Sequence, residues 1–328
     1  MQNYSFFGTC ANDVFHTEGV LKTIIKQTIH PKEVILIDSG DTNQFDKLNV
    51  LFKNSNIKLV YFFKKLSRVE ALNFAIDQIS TSYCMRFDTR SRFSSNYAEE
   101  SLKLLLDENL QSPFVGGVPK VIPEKSTAMA KVCSQILERS YIFFYPRHRQ
   151  IGYSGKSSSI YLGSFKTSIL KSIKYRDNAY LISEDSLLAT DFALQKHLLW
   201  ISSNVKLNYV SRSSLLNILR LFNTYGYCRF NTILSSGKIH SKKRYFYLFS
   251  LIILYFLISF KLFPDNIFFL PIILLILNIF GEIFFIKISK NIIYPILGLI
   301  CQMSWIIGFM WGAIVFFKLK KNKTNFIK

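Results

Sequence analysis

Apolar positions in the first hundred residues follow two different periods. Four apolar stretches have the length of a strand, and they lie at 4–9, 34–37, 57–63 and 83–87. Between them, residues 18–28 and 69–79 repeat apolar side chains at the spacing of a helix face. Strands that alternate with helices predict a parallel α/β sheet, in which polar residues at the carboxyl ends of the strands form the ligand site.

The pattern continues more loosely over the next hundred residues. Helical spacing predicts helices at 97–106, 131–144 and 187–199, while the Gly- and Ser-rich stretch 151–159 predicts a loop. Residues 212–229 combine Leu and Phe spacing with several arginines, which is typical of an amphipathic helix lying at a membrane surface.

The C-terminal third is dominated by Ile, Leu and Phe. Apolar stretches occupy 245–260, 267–286 and 292–317, and a bilayer-spanning helix needs about 20 such residues. The second and third stretches satisfy this length and the first is short, so we expect two or three membrane helices. A buried soluble bundle is the alternative, but helices this uniformly apolar would leave no face for solvent.

Charge supports attachment to a membrane. The 328 residues carry a formal net charge of +20, and a basic run at 238–244 directly precedes the first apolar stretch. Three spans would put this run and the basic tail 318–328 on opposite sides, whereas two spans with one interfacial segment would put them together. We expect anionic lipids as the partner of this charge, and no nucleic acid.

The N-terminus and the cysteines indicate a cytoplasmic catalytic part. Residues 1–8 lack the basic segment and the long apolar core of a signal peptide, and the five cysteines form no C-x-x-C pair. We therefore predict a catalytic domain at 1–232 with a membrane-interface connector at 211–244. Membrane helices at 245–317 and a basic tail at 318–328 complete the predicted organisation.

Two predicted strands end in an aspartate, Asp38 and Asp88, at the edge where open α/β sheets bind ligands. Residues two apart in an extended strand point to the same side, and two carboxylates there would hold a divalent cation with diphosphate oxygens. In this chain the residue two positions after Asp88 is Arg90. Either one carboxylate and the diphosphate oxygens are enough to bind the cation, or an arginine neutralises part of the diphosphate charge.

Five motifs together resemble family 2 glycosyltransferases, which are inverting enzymes with the GT-A fold. They lie at 31–43, 68–75, 86–90, 162–165 and 183–185. The resemblance covers residues 5–230 and is greatest to the membrane-attached bacterial transferases of exopolysaccharide, capsule and O-antigen synthesis. It implies a Rossmann-like, mostly parallel sheet flanked by helices, followed by C-terminal membrane helices.

The resemblance also assigns roles. Asp185, with Glu184, would supply the catalytic base; the alternative is that 183–185 caps a helix. Asp88 would bind a divalent cation, Mg²⁺ or Mn²⁺, or the ribose-phosphate side of the donor. The remaining residues implied to line the donor pocket are Thr9, Ala11, Asp38, Arg68 and Arg90.

Each of the donor-pocket residues has a structural alternative. For Asp38 it is an Asx-turn that closes the strand, and for Arg68 a solvated arginine at a helix start. For Arg90 it is a salt bridge to an acid such as Glu184.

The expected function is the transfer of one sugar from a nucleotide-diphosphate donor to a polyprenyl-linked saccharide by a single inverting displacement. The expected place is the cytoplasmic face of the plasma membrane. No Gln-x-x-Arg-Trp follows the Glu-Asp motif at 184–185, which argues against a processive polymer synthase. A polyprenyl-phosphate sugar synthase and a catalytically silent GT-A membrane scaffold remain as alternatives.

Overall fold

Two β-sheets organise the first two hundred residues of the chain. The computed structural model describes residues 3–139, 147–176, 183–236 and 293–325. Its strands are β1 (Tyr4–Cys10), β2 (Glu33–Asp38), β3 (Lys58–Phe63), β4 (Tyr83–Asp88), β5 (Ser91–Phe93), β6 (Phe114–Gly116), β7 (Pro119–Ile122), β8 (Gly155–Lys156), β9 (Ser164–Lys166), β10 (Leu199–Ile201) and β11 (Leu207–Val210). The large sheet has the order β3-β2-β1-β4-β9-β6-β10-β8, and the small sheet has the order β5-β11-β7.

The strands β3, β2, β1 and β4 run parallel, as the sequence predicts. Their register places Thr9 beside Asp88 and Cys10 beside Asp38, so the polar ends of three strands meet at one edge. Strand β9 is antiparallel to both β4 and β6, and β8 is antiparallel to β10. The predicted α/β fold with a mostly parallel sheet is confirmed.

The helices of the described residues are α1 (Val14–Ile25), α2 (Phe45–Asn49), α3 (Arg68–Gln78), α4 (Tyr97–Leu106), α5 (Ala128–Arg139), α6 (Thr167–Ile173), α7 (Glu184–Leu194), α8 (Leu215–Ser236) and α9 (Ile293–Asn325). Single 3₁₀ turns lie at Val50–Phe52 and Arg147–Arg149. The predicted helices at 18–28, 69–79, 97–106 and 212–229 correspond to α1, α3, α4 and α8. The predicted helix at 131–144 corresponds to α5 as far as Arg139, and 140–144 lie outside the described residues. The predicted helix at 187–199 corresponds to α7, but α7 ends at Leu194 and Leu199 begins β10. The predicted loop at 151–159 contains the short strand β8.

Alternate strand residues point to opposite faces of the large sheet, and both faces are buried. Phe6 packs into one core with Val20 and Leu21 of α1, whereas its neighbour Phe7 packs into a second core with Ala75 of α3 and Phe192 of α7. This burial on two sides explains why β1 and β2 are almost continuously apolar.

The described residues divide into two compact units. One comprises 3–122, 147–176 and 184–211, and the other comprises 123–139, 183, 212–236 and 293–325. The first unit ends at Ser211, where the predicted connector at 211–244 begins. The helix α8, which follows, packs along α9 and also contacts α5.

Within the second unit, α8 and α9 approach each other closely at glycines. A Cβ on Gly308 would lie 2.0 Å from the carbonyl O of Asn223, and one on Gly226 would lie 1.9 Å from the carbonyl O of Trp305. Two hydrogen bonds cross the same interface. Asn223 Nδ2 donates to the Ser304 carbonyl at 3.2 Å, and Ser304 Oγ donates to the Leu219 carbonyl at 2.8 Å.

Of the predicted membrane segments, 245–260 and 267–286 lie outside the described residues, and 292–317 corresponds to most of α9. Among the helices that the structure describes, none has the length and apolar content needed to cross a bilayer. The helix α9 continues into the predicted basic tail as far as Asn325.

Candidate active site

The centre of the candidate site is Arg86, a fully buried arginine on β4. Its Nη2 donates to Asp88 Oδ1 at 3.2 Å and to Glu184 Oε1 at 3.0 Å. Its Nη1 donates to the Asp185 carboxylate and, at 3.1 Å, to the Tyr175 hydroxyl. Its Nε–H has no hydrogen-bond partner among the described atoms, so the terminal nitrogens make all of these bonds. One guanidinium thus holds three carboxylates together.

A second arginine, Arg68, closes the cluster from the solvent side. Its Nε donates to Glu184 Oε1 at 2.6 Å, and its Nη2 donates to Asp88 Oδ2 at 2.9 Å. The Arg68 side chain is 48% exposed, whereas that of Glu184 is 14% exposed. Arg68 is therefore the cation of the cluster that a ligand would reach first.

Two helix starts position these side chains. Arg68 begins α3, where Ser67 and Glu70 form a capping box: the Glu70 N–H donates to Ser67 Oγ at 3.3 Å, and the Ser67 N–H donates to Glu70 Oε2 at 2.8 Å. Glu184 and Asp185 form the first turn of α7. The helix dipole favours negative charge at that end, which supports both carboxylates.

Tyr175 packs against the guanidinium of Arg86. The centre of its ring lies 5.3 Å from the Arg86 guanidinium carbon, within the range of a cation–π contact. Asn73 of α3 fixes the Tyr175 backbone from both sides. Asn73 Nδ2 donates to the Tyr175 carbonyl at 2.8 Å, and the Tyr175 N–H donates to Asn73 Oδ1 at 2.9 Å. Asn73 therefore acts on the site through Tyr175.

Charges and burial give the three carboxylates different acidities. Burial, together with the negative charges of Glu184 and Asp88, raises the pKa of Asp185 to about 6, against the opposing pull of Arg86. For Asp88 and Glu184 burial also works toward a higher pKa, but the positive charges of Arg68 and Arg86 outweigh it and lower the pKa of both. Asp185 is thus the carboxylate suited to accept a proton near neutral pH.

Asp38 lies at the end of β2 and is almost completely buried. Its Oδ1 accepts from the Gly40 N–H at 2.8 Å, and its Oδ2 accepts from the Tyr61 hydroxyl at 2.6 Å. The first bond is the Asx-turn considered as its structural alternative. The assignment to a nucleotide base or ribose stays a prediction.

Thr9 and Ala11 occupy the same edge as Asp38. Thr9 is buried near the end of β1 and Ala11 is exposed just after it. Ala11 precedes a left-handed residue, Asn12, with φ of 53°. The Asn12 amide exchanges two hydrogen bonds of 2.8 Å with Asp41, which ties the loop after β1 to the loop after β2. That Thr9 and Ala11 line the donor pocket stays a prediction.

Arg90 follows Asp88 in the turn between β4 and β5 and extends to the small sheet. Its Nη1 donates to the Ser211 carbonyl at 3.3 Å. The ion pair to Glu184 that was considered for Arg90 is made by Arg68 and Arg86 instead. The reason is position: Arg86 shares one face of β4 with Asp88, while Arg90 lies beyond the end of the strand.

A divalent cation at Asp88 fits this donor set poorly. Both Asp88 oxygens accept hydrogen bonds from guanidinium groups, and the second position of the motif is an arginine. Within the described part of the chain, no cluster of three or more His, Cys, Asp or Glu side chains is arranged to hold a metal ion. The residues around Asp88 therefore do not suit a divalent cation as their partner.

No role was predicted from the sequence for two residues of the cluster, Arg86 and Tyr175. A signal for Arg86 was present, because an arginine inside the apolar strand 83–88 must be buried and therefore paired. Its spacing of two from Asp88 also puts both side chains on one face. Tyr175 carried no such signal, since its contacts depend on the position of α3.

Comparisons with known proteins agree with this description. The chain is 25% identical over 190 residues to a poly-β-1,6-N-acetyl-D-glucosamine synthase of Staphylococcus epidermidis; the match covers 56% of this chain and 44% of that protein. The chain thus spans less than half the length of this curated relative.

Among solved structures, the mannosyltransferase PcManGT of Pyrobaculum calidifontis, in complex with GDP-mannose and Mn²⁺, superposes with a TM-score of 0.63. The two share 14% sequence identity, and the alignment covers 94% of this chain and 87% of the other. No protein-family model matches. The structural likeness shows a shared fold, and with the sequence relative it confirms the resemblance drawn from the motifs.

Proposed function

We propose that this chain, a glycosyltransferase of the GT-A fold that resembles family 2, transfers one sugar from a nucleotide-diphosphate donor to a lipid-linked saccharide. The observation that carries the proposal is the Asp185 carboxylate. It lies at the start of α7 beside Asp88 of β4, with a pKa raised to about 6 by burial and neighbouring negative charge. This is a carboxylate prepared to accept a proton, placed at the ligand-binding edge of a parallel sheet.

The proposed reaction is a single displacement. The acceptor hydroxyl gives its proton to Asp185 while its oxygen forms a bond to the anomeric carbon. The bond from that carbon to the diphosphate oxygen breaks, and the electron pair leaves with the nucleoside diphosphate. One base on one side of the sugar inverts the anomeric configuration, because no covalent sugar–protein intermediate forms. Glu184 orients Arg68 and Arg86 around this base.

Nucleotide sugars are supported as donors by two relatives. PcManGT was solved with GDP-mannose, and the Staphylococcus epidermidis relative is a synthase of an N-acetylglucosamine polymer. GDP-mannose and UDP-N-acetylglucosamine are therefore the first donors to test.

Membrane attachment is the second part of the proposal. The helix α9 exposes a set of large apolar side chains along one side: Ile300, Ile307, Met310, Trp311 and Ile314. Their spacing of three, four and seven residues is that of one helix face, which would lie against lipid. The net charge of +20 favours an anionic lipid surface. A cytoplasmic-facing catalytic unit at the plasma membrane is the corresponding location.

The direct test is sugar transfer in vitro. The full chain, reconstituted in vesicles containing anionic lipid, is incubated with radiolabelled nucleotide sugars and with either polyprenyl-pyrophosphate-linked saccharide or polyprenyl phosphate. Lengthening of the saccharide supports the proposal, whereas a polyprenyl monophosphosugar identifies the synthase alternative. Binding of no donor and transfer to neither acceptor would favour the silent scaffold.

A further inference from the structure

Asp88 stands where the resemblance places a metal-binding carboxylate, yet its surroundings are those of a paired anion. Oδ1 accepts from Arg86 and Oδ2 accepts from Arg68, at 3.2 and 2.9 Å. Glu184 Oε1 accepts from the same two guanidiniums, at 3.0 and 2.6 Å. Each carboxylate that faces this edge therefore already has a positive partner.

Arg86 is fixed in this position. Its side chain has no exposure to solvent, its guanidinium lies over the Tyr175 ring, and its backbone N–H donates to the Gly163 carbonyl at 3.0 Å. A buried arginine cannot give up its charge, since the neighbouring carboxylates hold its pKa well above the ordinary value although burial works to lower it. It is thus a permanent positive charge among Asp88, Glu184 and Asp185.

Arg68 differs from Arg86 in being open to ligands. It is half exposed and begins the eleven-residue helix α3, whose N-terminal end favours anions. The planar guanidinium matches two phosphate oxygens at once, and it binds them more strongly than a neutral donor does. Arg68 is the group through which the diphosphate of a donor can meet the cluster.

We propose that Arg86 takes the place of a divalent cation in organising the carboxylates, and that Arg68 binds the donor diphosphate without a metal ion. This inference rests on the proposed use of a nucleotide donor. It differs from the expectation of Mg²⁺ or Mn²⁺ at Asp88, and the difference follows from the two arginines that already occupy that carboxylate. The chemical class of ligand is a nucleoside diphosphate.

Calorimetric titration of the full chain with UDP and GDP, in EDTA and in MnCl₂, tests the metal directly. We expect dissociation constants that agree within about twofold between the two conditions, since a tenfold change would correspond to about 1.4 kcal/mol of metal-dependent binding. A nucleoside diphosphate binds Mn²⁺ by itself, so the electron paramagnetic resonance signal of free Mn²⁺ is compared at equal nucleotide concentration with and without the chain, and the two signals should be the same. Binding that weakens more than about tenfold in EDTA, or a further loss of the free Mn²⁺ signal when the chain is added, would overturn the inference.

The role of Arg68 is tested with a matched pair of variants. Arg68→Gln removes an exposed cation that pairs with two acids, and Lys103→Gln removes another, which pairs with Glu99 and Glu100 on α4. We expect Arg68→Gln to weaken nucleotide binding about tenfold or more in EDTA and in MnCl₂ alike, as for loss of a charge-assisted bond. Lys103→Gln should bind as the unmodified chain does. Equal binding by the two variants would remove Arg68 from the diphosphate site.

The results of the nucleotide titrations distinguish this inference from the proposed sugar transfer. Nucleotide binding that requires Mn²⁺ overturns the inference alone and leaves sugar transfer standing. If none of UDP, GDP, ADP, CDP or dTDP binds under either condition, both the inference and the proposed function are overturned.

Discussion

The guanidinium of Arg86 donates a hydrogen bond directly to the carboxylate of Asp185, joining the middle strand of the sheet to the first turn of α7. The arginine is fully buried and the aspartate is partly open to solvent. This geometry holds the aspartate in one orientation while leaving it accessible to an acceptor.

Replacing Asp185 with Asn should abolish most sugar transfer while the chain stays folded. The amide keeps the shape of the side chain but cannot accept the acceptor's proton, and loss of a general base costs about 10²- to 10⁴-fold in rate. The measurement is kcat with a labelled donor, together with thermal unfolding. Asp77→Asn is the matched control, because Asp77 forms an exposed ion pair with Lys174 and, among the described residues, is bonded to no side chain of the cluster. Full activity in Asp185→Asn would remove it as the base.

The activity should depend on pH through the same carboxylate. Asp185 acts as a base only when ionised, and its pKa is raised to about 6. The value of kcat/KM should therefore rise with pH through about 6 and level off above it. A profile measured from pH 4.5 to 8.5 would show this limb, and the residual activity of Asp185→Asn should lack it. A limb that persists unchanged in the variant would belong to another group.

Asn73 should matter for both stability and activity, although it does not contact the carboxylates. Asn73→Ala breaks the two hydrogen bonds that hold the Tyr175 backbone, and leaving such groups unpaired costs about 1–3 kcal/mol. Urea unfolding should show this loss, and kcat should fall because Tyr175 no longer supports Arg86. Tyr175→Phe, which removes only the hydroxyl bond to Arg86, should lose less stability. An Asn73→Ala chain as stable as the unmodified one would contradict this account.

Gly163 is required by both its backbone and its neighbours. Its φ is 93°, and a Cβ there would lie 2.2 Å from the Phe114 ring. Gly152 is a matched control, since its φ is 85° but its Cβ would meet no described atom within 4 Å. Gly152→Ala should therefore cost only backbone strain, about 1 kcal/mol, whereas Gly163→Ala should cost clearly more because the core must also move. Equal losses in thermal unfolding would show that the contact with Phe114 is unimportant.

The parallel part of the fold was predictable because its pattern is local. The strands β1 to β4 and the helices between them carry their own periodicity, and Asp38 and Asp88 mark the strand ends directly. Strands β5 to β11 were not predicted, since they have two to four residues and pair across long sequence separations. Such segments are too short for a period, and tertiary contacts decide their conformation.

The candidate site was predictable in its acids and less so in its cations. The motif at 184–185 and the aspartate at 88 lie together, as the resemblance implied. Arg90 interrupts the acidic pattern of the motif at 86–90, whereas the arginine that pairs with the three carboxylates is Arg86, the first residue of that motif, for which no role was predicted. The partner of a buried charge depends on which helix start faces it, and no spacing within one strand encodes that.

The close approach of α8 and α9 gives a prediction for the second unit. Gly308 faces α8, where an added Cβ would lie 2.0 Å from the Asn223 carbonyl oxygen, and backbone at such a contact cannot rotate away. Gly298 lies on the same helix, and a Cβ there would meet no described atom within 4 Å. Alanine has a higher helix propensity than glycine by about 0.8–1 kcal/mol, so Gly298→Ala should stabilise the chain slightly. Gly308→Ala should lower the unfolding temperature in spite of that propensity, because the helices must separate. If both variants are stabilised equally, the glycine contact between α8 and α9 does not determine their packing.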